Sequence, residues 1–228
     1  MSVYSPLAEL RAPPAGLFVS GPRVHESRVR RAIAFVDGQS LFHAARLAFG
    51  RAEPDYDPAA LAGLVAERMG WISTSVRFYT GVPDAARRPF WHRYWRAKLR
   101  AMAASGVIVV QRPLRYRRRL LRSPDGSIVE GEVGEEKGID IRIALDAVRA
   151  IVTRQCDVVL LFSQDQDFAE LAREVRVIAA DQQRWIKIAS AYPVGPGLAN
   201  ARGVDRTDWI PLDRAAYEAC LDLRDYRQ

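Results

Sequence analysis

Val158-Val159-Leu160-Leu161-Phe162 is an unbroken apolar run with the β-branched content of a strand buried on both faces. It gives way to the polar turn Ser163-Gln164-Asp165-Gln166-Asp167, and the pattern restarts at helical spacing through Phe168, Leu171, Ala172 and Val175. Ala32-Ile33-Ala34-Phe35-Val36 repeats the theme: a buried strand ends at Asp37-Gly38-Gln39-Ser40, and a helix follows with Leu41, Ala44, Ala45 and Ala48 on one face and Gly50 at its close. Both strands therefore deliver acids into a turn at their carboxyl ends.

The same reading places a helix from Asp57-Pro58 to Gly70, with Asp57 as cap, and a strand over Ser75 to Thr80. Residues 87–104 predict a long helix in which Phe90, Trp91, Tyr94, Trp95, Leu99 and Met102 interleave with Arg87, Arg88, Arg93, Arg96, Lys98 and Arg100. Val107 to Gln111 is a third strand. Leu114 to Arg122 and Ser127 to Val133 flank the turn Pro124-Asp125-Gly126 and predict a β-hairpin. A helix follows from Asp140 to about Thr153, with Ile143, Ala144, Ala147, Val148 and Ile151 on its apolar face. After the central strand and its helix, Arg184 to Ala189 reads as a strand, Pro193 to Gly197 as a loop into a short helix, and Asp208 to Leu212 as an edge strand. Strands alternating with helices predict a three-layer α/β/α fold on a mostly parallel sheet with right-handed crossovers, the hairpin being inserted into it. Residues 1–30, with Pro6, Pro13, Pro14 and Pro22 and no periodicity, read as an N-terminal arm, and 213–228 as a C-terminal helix and tail.

At 228 residues the chain suits one domain with a sizeable core. No apolar run approaches the roughly 20 residues needed to span a bilayer, and the start carries no secretory pattern. Its two cysteines, Cys156 and Cys220, form neither a disulfide framework nor a metal knuckle, so reduced thiols in a cytoplasmic protein are expected. The formal charge of +7 points to an anionic partner. Lys98, Lys137 and Lys187 are the only lysines, and arginine suits bidentate phosphate contact, although codon bias produces the same imbalance.

Asp37, Asp140, Asp165 and Asp167 carry the candidate chemistry. Each has an ordinary alternative: Asp37 as a turn former or helix cap, Asp167 as a cap, Asp165 as a solvated loop acid, and Asp140 as a favourable charge in a first helical turn. Should the strands holding Val36 and Leu160 be neighbours where strand order reverses, Asp37, Asp165 and Asp167 converge on one crevice, and a helix delivered by a short loop can add Asp140. Close carboxylate pairs then cost on the order of 4 kcal/mol each at an effective dielectric near 20. Protonation or a cation relieves that cost, and all-oxygen donors suit Mg²⁺ or Mn²⁺. Metal-assisted hydrolysis of a phosphodiester is the matching reaction. His25, His43 and His92, the only histidines, lack metal-ligand spacing.

Phe35-Val36-Asp37-Gly38-Gln39-Ser40, then Glu136-Lys137-Gly138-Ile139-Asp140 with Asp146, then Ser163-Gln164-Asp165-Gln166-Asp167-Phe168, resemble in order the three blocks of the NYN domain, the LabA-like branch of the PIN-domain nuclease superfamily. The resemblance covers roughly residues 31 to 212. It implies a PIN-like fold, an Mg²⁺ or Mn²⁺ site built from Asp37, Asp140, Asp165 and Asp167, polar support from Ser40 and Ser163, and RNA, single-stranded or structured, as substrate. Many members have Asn where this chain has Ser40, and their third block reads Ser-Gly-Asp-Ser-Asp-Phe. Gln164 and Gln166 are therefore expected to narrow the crevice, with strain if position 164 needs positive φ. Asp146, six residues beyond Asp140, is expected on another helical face, in a structural or supporting role.

Arg112, Arg115, Arg117, Arg118, Arg119 and Arg122 of the hairpin, and the aromatic-basic helix, are the RNA-binding candidates. The hairpin arginines equally suit a solvated edge that blocks aggregation, and most of the helix aromatics suit a core. Lys137 either faces a phosphate or pairs with Glu135 or Glu136. The reading is thus a metal-dependent ribonuclease, with a non-catalytic RNA-binding or adaptor domain as the alternative. A small-molecule phosphatase lacks the Asp-x-Asp nucleophile after the first strand.

Overall fold

A computed structural model describes residues 29–122, 126–198 and 201–227; most of the expected N-terminal arm lies outside them. Strand β1 (Arg30–Asp37) runs into helix α1 (Gly38–Phe49). They are followed by α2 (Pro58–Arg68), β2 (Trp71–Val82), α3 (Pro89–Ala104) and β3 (Ile108–Pro113). The hairpin β4 (Arg115–Arg122) and β5 (Ile128–Glu135) leads to α4 (Ile139–Val152). The chain closes with β6 (Val158–Phe162), α5 (Phe168–Asp181), β7 (Lys187–Pro193), β8 (Asp208–Leu212) and α6 (Arg214–Glu218). No helix among the described residues is long and apolar enough to cross a membrane.

Six strands form one sheet in the order β3-β2-β1-β6-β7-β8, and every neighbouring pair is parallel. The strand interiors are apolar on both faces because helices cover both. Ala34, Val36, Leu160 and Phe162 pack toward one layer with Leu41 and Ala45 of α1, Leu61 and Val65 of α2, and Trp95 and Leu99 of α3. Ile33, Phe35, Val159 and Leu161 face Ile143 and Ala147 of α4 and Leu171 and Val175 of α5. The chain leaves β1 toward β2 and β3, then returns over the other face to place β6 on β1's free side. Strand order therefore reverses between β1 and β6, where an open α/β sheet binds its ligands.

The hairpin forms a separate two-stranded sheet. Its attachment runs through Tyr116, whose hydroxyl accepts from the Asp84 amide at 3.0 Å and whose ring lies under the Arg87 guanidinium. Arg87 in turn meets Glu132 at 2.8 Å.

Several boundaries differ from the sequence reading. β2 begins at Trp71 rather than Ser75. The strand expected from Arg184 starts at Lys187, because the closing turn of α5, where the Arg184 amide bonds Ala179 O, consumes the preceding residues. No helix occurs among the described residues between β7 and β8. The C-terminal helix is only five residues long, and the chain beyond it packs against α3.

Lys98, grouped by sequence with the exposed basic positions of α3, is fully buried. Its ammonium donates to Tyr56 O at 3.0 Å and to Asp222 Oδ2 at 3.1 Å. Burial alone would raise the Asp222 carboxyl, but hydrogen bonds from Arg224 and Tyr226 and the Lys98 charge outweigh it and hold the group below the usual carboxylate range. Its stabilisation is thus present above pH about 4 and is lost as pH falls. Asp222→Ala strands a buried cation and is expected to cost about 3–5 kcal/mol in denaturant unfolding at pH 7, while Lys98→Met with Asp222→Leu recovers most of that loss. An unchanged unfolding midpoint for the single variant contradicts this account.

Candidate active site

Asp37 is the last residue of β1, and its extended backbone (φ −77°, ψ 101°) makes it the N-cap of α1. Oδ1 accepts from the Ser40 amide at 3.0 Å and Oδ2 from Ser163 Oγ at 3.2 Å. Val36 pairs with Phe162, so Asp37 and Ser163 are the next residues of adjoining strands. Gly38 allows the tight entry: a Cβ there would lie 2.5 Å from the Phe78 ring and 2.9 Å from Tyr79 O. Ser163 Oγ also lies 3.1 Å from Ser40 Oγ and accepts from the Asp165 amide at 3.2 Å. The two serines thereby stitch the turn after β6 to the start of α1.

The acids feel one another. Burial raises the Asp37 carboxyl to about 6; the Ser40 amide and Ser163 hydroxyl lower it, and the charges of Asp140 and Asp165 raise it further. Asp140, half-buried in the first turn of α4, is raised by burial and then by Asp165 and Asp167. Asp165 accepts the Asp167 amide at 2.9 Å. Asp167 holds the cap position of α5 but its side chain caps nothing, and it is exposed. None of these four acids forms an ion pair with a described residue.

Glu136 belongs with them, a placement sequence reasoning missed. It leaves the end of β5, and its carboxylate accepts the Gly81 amide at the carboxyl end of β2. Burial lifts it to about 7, against the pull of the Gly81 amide, with the charges of Asp37 and Asp140 adding. A Cβ at Gly81 would lie 2.6 Å from Glu136 Cγ. A glycine inside a strand, marking close approach by another segment, was the available signal.

Other candidates fall into place around this centre. Asp146 accepts from Tyr79 Oη at 3.0 Å and Arg142 Nε at 2.9 Å, anchoring α4 to β2. Gln164 is not in the left-handed region and carries no such strain. The two glutamines reach toward the segment before β8. Gln164 Nε2 bonds Arg202 O at 2.8 Å, while Gln166 bonds Gly203 O at 3.2 Å and accepts the Asp205 amide at 3.1 Å. They fasten the segment before β8 to the acidic turn. Lys137 is exposed and forms no ion pair among the described residues, since Glu135 meets Arg117 and Arg119 while Glu136 meets Gly81.

The hairpin is less basic than its arginines suggest. Arg118 faces Glu130 at 3.9 Å, and Arg87 at the start of α3 takes Glu132. Arg112, expected on the hairpin, lies instead in β3 of the main sheet and donates to Lys137 O at 3.3 Å, while Arg115 and Arg122 are exposed without carboxylate partners among the described residues.

Hard oxygen donors and mutually raised acids fit a divalent cation by chemistry. Among the described residues no three acidic, histidine or cysteine side chains stand close enough to hold one ion. The donors present suit Mg²⁺, which keeps several waters and needs only one or two protein carboxylates.

A three-layer parallel α/β fold with acids at its switch point defines the PIN-like class. The family model for the NYN domain matches residues 31–180, and the chain belongs to that family of PIN-like nucleases, which usually use divalent metals. A search of the curated proteins finds no match. Among solved structures, a protein of unknown function from Vibrio parahaemolyticus is 21% identical over 82% of this chain and 96% of its own, with a TM-score of 0.47. A deacetylase–teicoplanin complex from the teicoplanin biosynthesis pathway is 18% identical over 69% of this chain and 68% of its own, with a TM-score of 0.28.

Asp37 and Glu136 titrate near 6 and 7, above the values near 4 of an unfolded chain. Between those values the metal-free folded state holds protons the unfolded state has lost, so stability falls as pH rises from about 4 to 7. Asp37→Asn keeps the cap and removes the charge. It is expected to gain roughly 1–3 kcal/mol at pH 8, a melting temperature several degrees higher, with little change at pH 4. Mn²⁺ should raise the wild-type melting temperature and leave the variant's unmoved. A lower melting temperature for metal-free Asp37→Asn at pH 8 refutes the charge-repulsion account.

Proposed function

We propose that the protein is a metal-dependent ribonuclease that hydrolyses RNA phosphodiester bonds. The observation that carries this reading is a buried acid, Asp37, held ionisable beside Asp140, Asp165 and Glu136 with no cation among the described residues to neutralise the group. Asp37, Asp140, Asp165 and Asp167 would supply the one or two carboxylates at a time that Mg²⁺ or Mn²⁺ needs beside its waters, and the bound ion would neutralise charge and polarise a phosphate oxygen. Ser40 and Ser163 fix the orientation of Asp37. Glu136, with a carboxyl near 7, can hold or release a proton at neutral pH without leaving its Gly81 anchor. Exposed Lys137, close in sequence to Asp140, offers a charge for a phosphate, and the hairpin arginines hold the strand.

A non-catalytic RNA-binding scaffold is the second reading, favoured by the absence of a closed group of three ligands among the described residues. Labelled RNA incubated with Mn²⁺ separates the two. Wild type is expected to cleave, and Asp37→Asn and Asp165→Asn to lose at least about 100-fold in rate, on the scale of removing one electrostatic catalytic group. Equal failure to cleave with binding retained in all three proteins establishes the scaffold reading instead.

The arginines also divide by partner. Arg115→Ala and Arg122→Ala should each reduce the slope of log affinity against log salt by about 0.7–1. Arg119→Ala, whose guanidinium already meets Glu135, should change it less. Equal effects from all three rule out the neutralising role given to Glu135.

A further inference from the structure

Beside the acids lies a pocket of about 190 Å³ that the ribonuclease reading does not use. Gly38, next to Asp37, and Gly81, whose amide holds Glu136, both line it, so it adjoins the backbone that carries these acids. Its walls are Phe42, Trp91 and Trp95, and the polar groups it presents are Gln39 and His43; among the described residues no Arg, Lys, Asp or Glu lines it. The aromatic wall is set in advance. Trp95 is buried against Phe78, and Trp91 is held edge-on by Phe90 and Tyr94, with ring centroids 5.2 and 5.4 Å away.

Pro83 and Leu114 also line a larger neighbouring groove of about 640 Å³, which carries Arg96, Arg112, His92 and Tyr116, with Arg87 there paired to Asp84 and Glu132. Arg96 and Arg112 have no carboxylate partner among the described residues. A cationic groove running into an uncharged aromatic pocket complements a chain of phosphates bearing flat heterocycles. The pocket is below the roughly 300 Å³ of drug-sized sites, which suits one base rather than a whole nucleotide. An apolar peptide segment would leave the groove arginines unanswered.

We propose that this pocket receives one unstacked nucleobase of single-stranded RNA next to the bond to be cut, stacked against Trp91 and read at its edge by Gln39 and His43. The proposal rests on the ribonuclease reading of the adjacent acids and adds to it a source of base preference. The sugar–phosphate backbone continues into the groove past Arg112 and Arg96.

The test uses the full chain and short single-stranded RNAs that vary one position through four bases and an abasic ribose. Fluorescence anisotropy without metal reads binding, and product mapping with Mn²⁺ reads cutting. Wild type is expected to prefer one base at a fixed position relative to the cut and to bind the abasic strand about 5- to 100-fold more weakly. Trp91→Leu should erase the difference between the based and abasic strands. Gln39→Ala and His43→Ala, at partly or fully exposed positions of α1, should keep the melting temperature and flatten the base preference. Cutting without base preference, or a preference untouched in both polar variants, overturns the proposal and leaves the ribonuclease standing. Base-dependent binding lost in Trp91→Leu without cutting by any protein upholds the pocket and removes the ribonuclease.

Discussion

The two hydrogen bonds that Asp37 accepts at the end of β1 join the halves of the sheet where its order reverses. One bond starts α1, and the other ties β1 to the turn after β6. A helix cap of this kind contributes about 1 kcal/mol. Keeping the buried carboxylate charged at neutral pH costs about 3 kcal/mol, from a carboxyl raised from 3.8 to about 6 even with those bonds in place. Asparagine would cap the helix as well without that cost. Fold stability therefore does not account for a charge here.

The outline of the fold was legible because the strands and helices obey their periods. Val158–Phe162 reads as a doubly buried strand in sequence and is one. Asp57-Pro58 reads as a helix start, and the Asp57 carboxylate accepts the Ala59 and Ala60 amides. The adjacency of Asp37 and Ser163 was conditional on strand order, which no local pattern contains, and the parallel pairing of Val36 with Phe162 supplies it. Glu136 escaped notice because its place depends on a contact 55 residues back, at Gly81. The partners of Gln164 and Gln166 were hidden for a related reason. A long amide on a crevice wall can turn either way, and partners at Arg202, Gly203 and Asp205 decide it.

The hairpin has a structural consequence beyond its charge. An isolated two-stranded sheet is marginal in water, and this one is held at its base by Tyr116, Arg87 and Glu132 while Leu120 and Ile128 stay exposed near its far end. The end of β5 feeds directly into Glu136 and the left-handed Gly138 that opens α4. Anchoring the base of the hairpin thus fixes where both Glu136 and Asp140 enter the crevice. Mobility farther out along the strands need not reach the acids.

The whole chain carries +7, yet the acids at the carboxyl ends of β1 and β6 are negative. A uniformly basic surface would attract a polyanion anywhere, whereas acids at the switch point repel phosphates from the one place where the fold brings loops together. Arginine side chains could have neutralised the acids, as Arg31 and Arg184 do for Asp157 at the opposite end of β6. At the carboxyl end they do not, although Arg112 lies near enough to bond the carbonyl of Lys137. Resident cations would have stabilised the fold and closed the site. Among the described residues the acids are left without them, and their mutual repulsion is relieved only by protonation or by a cation from outside the chain.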